Sequence, residues 1–158
     1  MDDKMFCFQC QEAAKNTGCT VRGVCGKTDD TARMQDLLIY VLKGISWLDR
    51  EMKDLGMAEE DLDAFTVQSL FATITNANFD KKDLENRVTR GLEIRDRLKQ
   101  KLAASGEDLS QAPDAVNWTP KSPAEYDIKA ASVGVLSTKD EDIRSLRELI
   151  TYGVKGMA

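Results

Sequence analysis

The sequence contains no histidine. That absence excludes Ser–His and Cys–His nucleophile pairs, and with them any zinc or haem site that relies on imidazole. Cysteine is confined: all four lie between positions 7 and 25, and residues 26–158 have none. Proline is scarce, three in 158 residues, and all three fall within 107–123, so little elsewhere interrupts a helix. No apolar run approaches the roughly 20 residues that span a bilayer. The opening MDDKMFCFQC is acidic first and lacks the apolar stretch of a secretory signal. Basic residues are outnumbered, 22 to 27, and are dispersed, which leaves no footprint for nucleic acid or an anionic membrane. The net charge of −5 suits a partner that presents a basic patch. A cytoplasmic location is expected, where thiols stay reduced, and this favours metal or redox chemistry over disulfides.

What remains is helical. Thr28 or Asp29 reads as an N-cap, with acids in the first turn. Met34, Leu37, Leu38, Val41, Leu42, Ile45 and Leu48 then recur with helical spacing up to a stop at Gly56. A second helix is predicted over 59–76, with Leu62, Phe65, Leu70, Phe71 and Ile74 inward. NANFD is a turn with Asp80 as the next cap. A third helix follows, burying Leu84, Val88, Leu92, Leu98 and Leu102, with Gly106 past its end. Three antiparallel helices with short connections make a bundle. The proline-bearing stretch reads as a loop that Trp118 pins down, followed by a short helix in PAEYDIKAASV and a last helical pattern from Asp140.

That last pattern echoes the first helix. With a shift of 112 residues, Leu37, Tyr40, Lys43 and Gly44 fall on Leu149, Tyr152, Lys155 and Gly156, and Asp36 falls on Glu148. Amphipathic helices resemble one another by default, but matches at Tyr, Lys and Gly point further, to a duplicated helical unit. The second copy then stops within its first helix, and KGMA brings no cap or turn signal. The expected architecture is all-α: a Cys-rich loop over 5–27, a three-helix bundle over 28–106, a linker with a short helix over 107–139, and the first helix of an incomplete second bundle over 140–158. The apolar side of that helix is expected to lie exposed, inviting self-association or leaving the chain disordered from about residue 140 onward.

The cysteines follow the spacing C-x2-C-x8-C-x5-C. Two intervening residues let Cys7 and Cys10 address one centre from a single turn. Gly18, Gly23 and Gly26 flank Cys19 and Cys25 and would allow backbone N–H groups to approach the sulfurs, stabilising thiolate charge. Phe6, Phe8, Val21 and Val24 alternate with the cysteines and are expected to exclude water and dock the loop. Four thiolates suit zinc or an iron–sulfur cluster. Zinc knuckles usually come as two short C-x2-C pairs, and here there is one. The wider second pair favours a larger object, although zinc and a thiol switch on Cys7 and Cys10 remain open.

MFCFQCQEAAKNTGCTVRGVCGK resembles the opening of the hybrid cluster protein family, also known as prismane proteins or hydroxylamine reductases. The likeness extends through QDLLIYVLKGI, LFATITNANFD and DEDIRSLRELITYGVKG. The resemblance implies that Cys7, Cys10, Cys19 and Cys25 hold a [4Fe–4S] cubane, since family members with wider gaps carry a [2Fe–2S] centre. It implies a first domain of two three-helix bundles and a parent enzyme that reduces hydroxylamine to ammonia and water, with nitric oxide reduction as a second activity. The parent's hybrid iron–sulfur–oxygen cluster draws on histidine, glutamates and further cysteines of later domains. A chain without histidine, its four cysteines already engaged, cannot build it, so this chain alone is expected to relay electrons rather than catalyse. The implied partners are a redox donor protein and the remaining domains of the parent.

Overall fold

The computed structural model describes residues 5–57, 59 and 62–158. The opening of the second predicted helix, at residues 60 and 61, lies outside them. The described residues form helices α1 (Asp29–Asp54), α2 (Leu62–Ile74), α3 (Lys81–Ala104), α4 (Asp114–Asn117), α5 (Tyr126–Val133) and α6 (Glu141–Met157), with short 3-10 turns between them. The fold is all-α, and the one extended pairing among the described residues joins Cys7 to Cys19.

α1 is the axis. Its buried stripe of Met34, Leu37, Leu38, Val41, Ile45 and Leu48 meets Leu84, Val88, Leu98 and Leu102 of α3 in a single core. Acids at Asp29 and Asp30 offset the helix dipole at its start, and Gly56 turns the chain at a φ of 71° beyond its end. α3 begins at the predicted cap, Asp80, whose carboxylate accepts from the Lys82 amide at 2.8 Å.

α2 departs from expectation. Leu62 and Leu70 are buried, but Phe71 faces solvent, and Ser69, Ala72 and Thr73 take the inward positions. Small side chains let α2 lie close; the Thr73 hydroxyl donates to the Leu70 carbonyl at 2.8 Å, whereas the buried Ser69 hydroxyl has no partner among the described residues. Phe65 closes the bundle against Gly91 of α3.

The linker is not a free loop. α4 and α5 lie along α1, and the fully buried Arg95 guanidinium fixes α4 by donating to the carbonyl oxygens of Trp118 (2.6 Å) and Ala115 (3.3 Å). Trp118 pins the segment, as predicted, with its ring edge-on between Tyr40 and Tyr126. α6 starts at the cap Asp140, which accepts from the Ile143 amide. Its apolar side chains Ile143, Leu146, Leu149, Ile150 and Met157 all point outward, and Lys155 is its one buried residue.

Candidate metal centre

The cysteine loop sits over the start of α1 and has its own small core of Met5, Cys7, Cys19 and Ala32. Cys7 and Cys19 exchange both backbone hydrogen bonds, at 3.0 and 2.9 Å. Directly opposed residues of such an antiparallel pair send their side chains to one face. Their β-carbons then stand about 5 Å apart, wider than the roughly 4 Å a disulfide takes up. All four cysteines are free; Cys7 and Cys19 are buried, and Cys10 and Cys25 are half-exposed.

Two sulfurs already accept N–H donors. The Ala14 amide reaches Cys19 Sγ at 3.4 Å, and the Asn76 side-chain amide reaches Cys10 Sγ at 3.3 Å. Asn76 holds a left-handed φ of 52° at the end of α2, a conformation asparagine tolerates, and this aims its amide at the loop. A Cβ at Gly23 would meet Cys25 Sγ and the Lys27 side chain at 3.0 Å each, so any larger residue there would push on both. The shielding expected of the apolar residues is not realised. Phe6 packs over Gly18, whereas Val21 (89% exposed), Val24 (64%) and Phe8 (37%) face solvent. The buried positions of the loop go to Cys7, Gln9, Cys19 and Gly23, which leaves these apolar side chains outside.

Among the described residues no three of Cys, Asp and Glu stand together as ligands for a single metal ion. Donor chemistry fits a cluster: four soft sulfurs, N–H groups on two of them, and buried positive charge beside them.

That charge was not legible in the spacing. Lys27, 1% exposed, donates to Gln35 Oε1 at 2.6 Å. Gln9, between Cys7 and Cys10, bridges α1 to α6: its amide donates to Asp36 Oδ1, and both of its oxygens accept from Lys155 Nζ. Burial raises the Cys7 thiol pKa, and Lys27 draws it back. Burial also pushes the Asp36 carboxyl from 3.8 up to about 7, against the pull of Lys155 and Gln9. The Lys155 ammonium is pushed down to about 8 by burial, against the attraction of Asp36 and Glu148. A cleft of about 750 Å³ between α1, the linker and α6 touches this network at Gln9 and Asp36 but otherwise runs away from the cysteines.

These shifts set a pH profile. The folded chain holds the Asp36 proton that the unfolded chain releases, so that contribution to stability is full below pH 3.8 and lost as pH rises through about 7. The contribution from Lys155 is full above pH 10.5 and lost as pH falls through about 8. Asp30, Glu59, Asp83 and Asp114, each with a lowered pKa, act the other way only in acid. Urea midpoints of the metal-free chain should thus decline from about pH 5 to 7 and recover from about pH 8 to 10. Asp36→Asn should flatten the acid limb, and a profile unchanged by it would exclude Asp36 as the source.

Residues 5–157 match the Prismane/CO dehydrogenase family. The hydroxylamine reductase of Thermoanaerobacter pseudethanolicus is 53% identical over 154 residues, which cover 98% of this chain and 28% of that protein. The hydroxylamine reductase of Desulfitobacterium hafniense is likewise 53% identical, over 98% of this chain and 28% of its own length. That of Clostridium tetani is 49% identical, over 98% and 31%. The chain spans under a third of the length of these curated relatives. Among the described residues no helix is long and apolar enough to cross a membrane.

Proposed function

The chain belongs to the Prismane/CO dehydrogenase family, and from that premise we propose that it is the electron-relay portion of a hydroxylamine reductase. In this reading Cys7, Cys10, Cys19 and Cys25 hold a [4Fe–4S] cluster. When bound, such a cluster supplies one-electron storage and transfer. The parent reaction takes hydroxylamine, two electrons and two protons to ammonia and water, with nitric oxide reduction as a second activity of the parent. The hybrid cluster for that step needs ligands this chain does not have, since it contains no histidine and its four cysteines are committed. Alone, it relays and does not catalyse.

The observation that carries this reading is the arrangement of the sulfurs. Cys7 and Cys19 are buried opposite each other, and Cys19 and Cys10 already accept N–H donors that would stabilise thiolate charge. Burial holds one side of the site dry. Half-exposed Cys10 and Cys25, rimmed by Phe8, Val21 and Val24, leave the other side open to a donor protein. The working compartment would be the reducing cytoplasm. The outward apolar face of α6 would carry the remaining domains of the parent. Self-association through that face is the alternative, and sedimentation of the purified chain distinguishes the two.

Anaerobic reconstitution with ferrous iron and sulfide tests the reading. The expected product is brown, bleaches on reduction, and contains about four irons and about four sulfides per chain. A colourless protein with one zinc and no iron would replace it with the zinc-stabilised helical module.

A further inference from the structure

Among the described residues, Lys27 is a buried cation with no anion in salt-bridge reach. Its side chain is almost fully enclosed, and its one hydrogen bond goes to the neutral amide oxygen of Gln35. Among the described residues no carboxylate forms an ion pair with it. The one buried carboxylate nearby, Asp36, is bridged through Gln9 to a second buried ammonium, Lys155. Among the described residues around the cysteine loop, therefore, two buried cations share one buried acid. A buried charge is tolerated when an opposite charge repays its lost hydration, and the described side chains do not provide one for Lys27.

The loop points to the missing anion. The Gly23 amide donates to the Lys27 carbonyl at 2.9 Å, and a Cβ on Gly23 would lie 3.0 Å from both Lys27 Cβ and Cys25 Sγ. The Lys27 backbone and Cβ thus lie beside the last cysteine, while its charged end, bonded to Gln35, acts on Cys7 at the other end of the loop. A cubane bound by four thiolates is a dianion, and accepting one electron adds a further negative charge.

We propose that Lys27 is the buried counter-ion of the cluster, fastening the tetrathiolate anion into the fold and raising the potential at which it accepts an electron. This rests on the reading that the four cysteines hold an iron–sulfur cluster. Net charge near a cluster is one of the protein's levers on its potential, and a cation in a dry setting acts more strongly than one in water. Lys27 would be a positioning residue in that sense, touching the site without supplying a ligand.

The decisive comparison is Lys27→Met, Lys27→Arg and wild type, each studied metal-free and after anaerobic loading with ferrous iron and sulfide. Methionine keeps the length and burial of lysine and removes the charge. In the metal-free chain, Lys27→Met should be at least as stable to urea as wild type, because an uncompensated ammonium has been replaced by an apolar chain. In the loaded chain the order should reverse. At an ambient potential equal to the wild-type midpoint, the ratio of oxidised to reduced cluster in Lys27→Met should rise about tenfold, equivalent to about 59 mV for one electron. Lys27→Arg should stay within about threefold of wild type at that potential. Should Lys27→Met fold metal-free yet fail to retain iron while Lys27→Arg retains it, the fastening half of the proposal is supported directly. Loss of stability by a similar factor with and without cluster would assign Lys27 to the Gln35 hydrogen bond alone and overturn the proposal. So would a fully loaded Lys27→Met with an unshifted midpoint. A wild-type chain that takes up no iron and sulfide removes the underlying reading itself, a failure visible before any variant is compared.

Discussion

Replacing Cys19 with alanine is expected to abolish the chromophore: iron retained after anaerobic loading should fall from about four per chain to below about one. Cys19 is the strictest of the four positions to test, because it is buried, sits opposite Cys7, and already accepts an N–H donor from Ala14. A cubane missing a thiolate corner exposes an iron to solvent and is prone to loss, and the neighbouring Met5 thioether brings no negative charge to replace the thiolate. The helical body should survive. Its core runs from Met34 to Ala130 and does not include Cys19, which belongs to the separate small cluster under the loop. Losing one buried sulfur there costs the metal-free chain about 1 kcal/mol. Far-ultraviolet circular dichroism should therefore be unchanged while iron is lost. Cys7→Ala, Cys10→Ala and Cys25→Ala should give the same result. A Cys19→Ala chain that keeps its full iron and sulfide would show that the four sulfurs do not serve one centre.

The long helices were legible because their chemistry is local. In α1 and α3 the apolar residues repeat at helical spacing, Asp80 caps α3 with its side chain while Thr28 holds the N-cap position of α1 without a side-chain capping bond, and the structure buries the predicted stripes. α2 was misread on its face because burial there is decided by closeness rather than hydrophobicity. Ser69, Ala72 and Thr73 go inward, and the larger Phe71 goes out. The cysteine spacing was equally readable, and the structure adds the pairing of Cys7 with Cys19. What sits around the sulfurs was not readable. Asn76 reaches Cys10 across 66 positions, and Lys155 reaches Gln9 across 146, so neither leaves a local pattern. Lys27 did leave a signal, as a charge placed directly after the last cysteine and its glycine. Only its burial turns that position into an argument about charge.

Gly44→Ala and Gly156→Ala occupy equivalent places in the repeated helix and are expected to have opposite effects. At Gly44 an added Cβ would fall inside the van der Waals shell of the Ala115 carbonyl oxygen, so α4 must move off α1. That oxygen also accepts from Arg95 Nη1 at 3.3 Å, and a shift would weaken the anchor of the whole linker. Alanine's better helix propensity returns up to about 1 kcal/mol, and overpacking of a seated backbone removes about 1–3 kcal/mol, with the buried guanidinium adding to the loss. Gly44→Ala should therefore destabilise the chain by about 2 kcal/mol, read as a lower urea midpoint at an unchanged slope. At Gly156 nothing lies within 4 Å of the added atom, and the propensity gain stands alone near a helix end, at about 0.5 kcal/mol or less in the stabilising direction. The contrast separates sequence repetition from structural use. The same glycine is compulsory where a neighbouring backbone is seated on it and optional where the helix face is open. Equal and small effects at both positions would mean that the linker does not rest on α1 as closely as its carbonyl at Ala115 indicates.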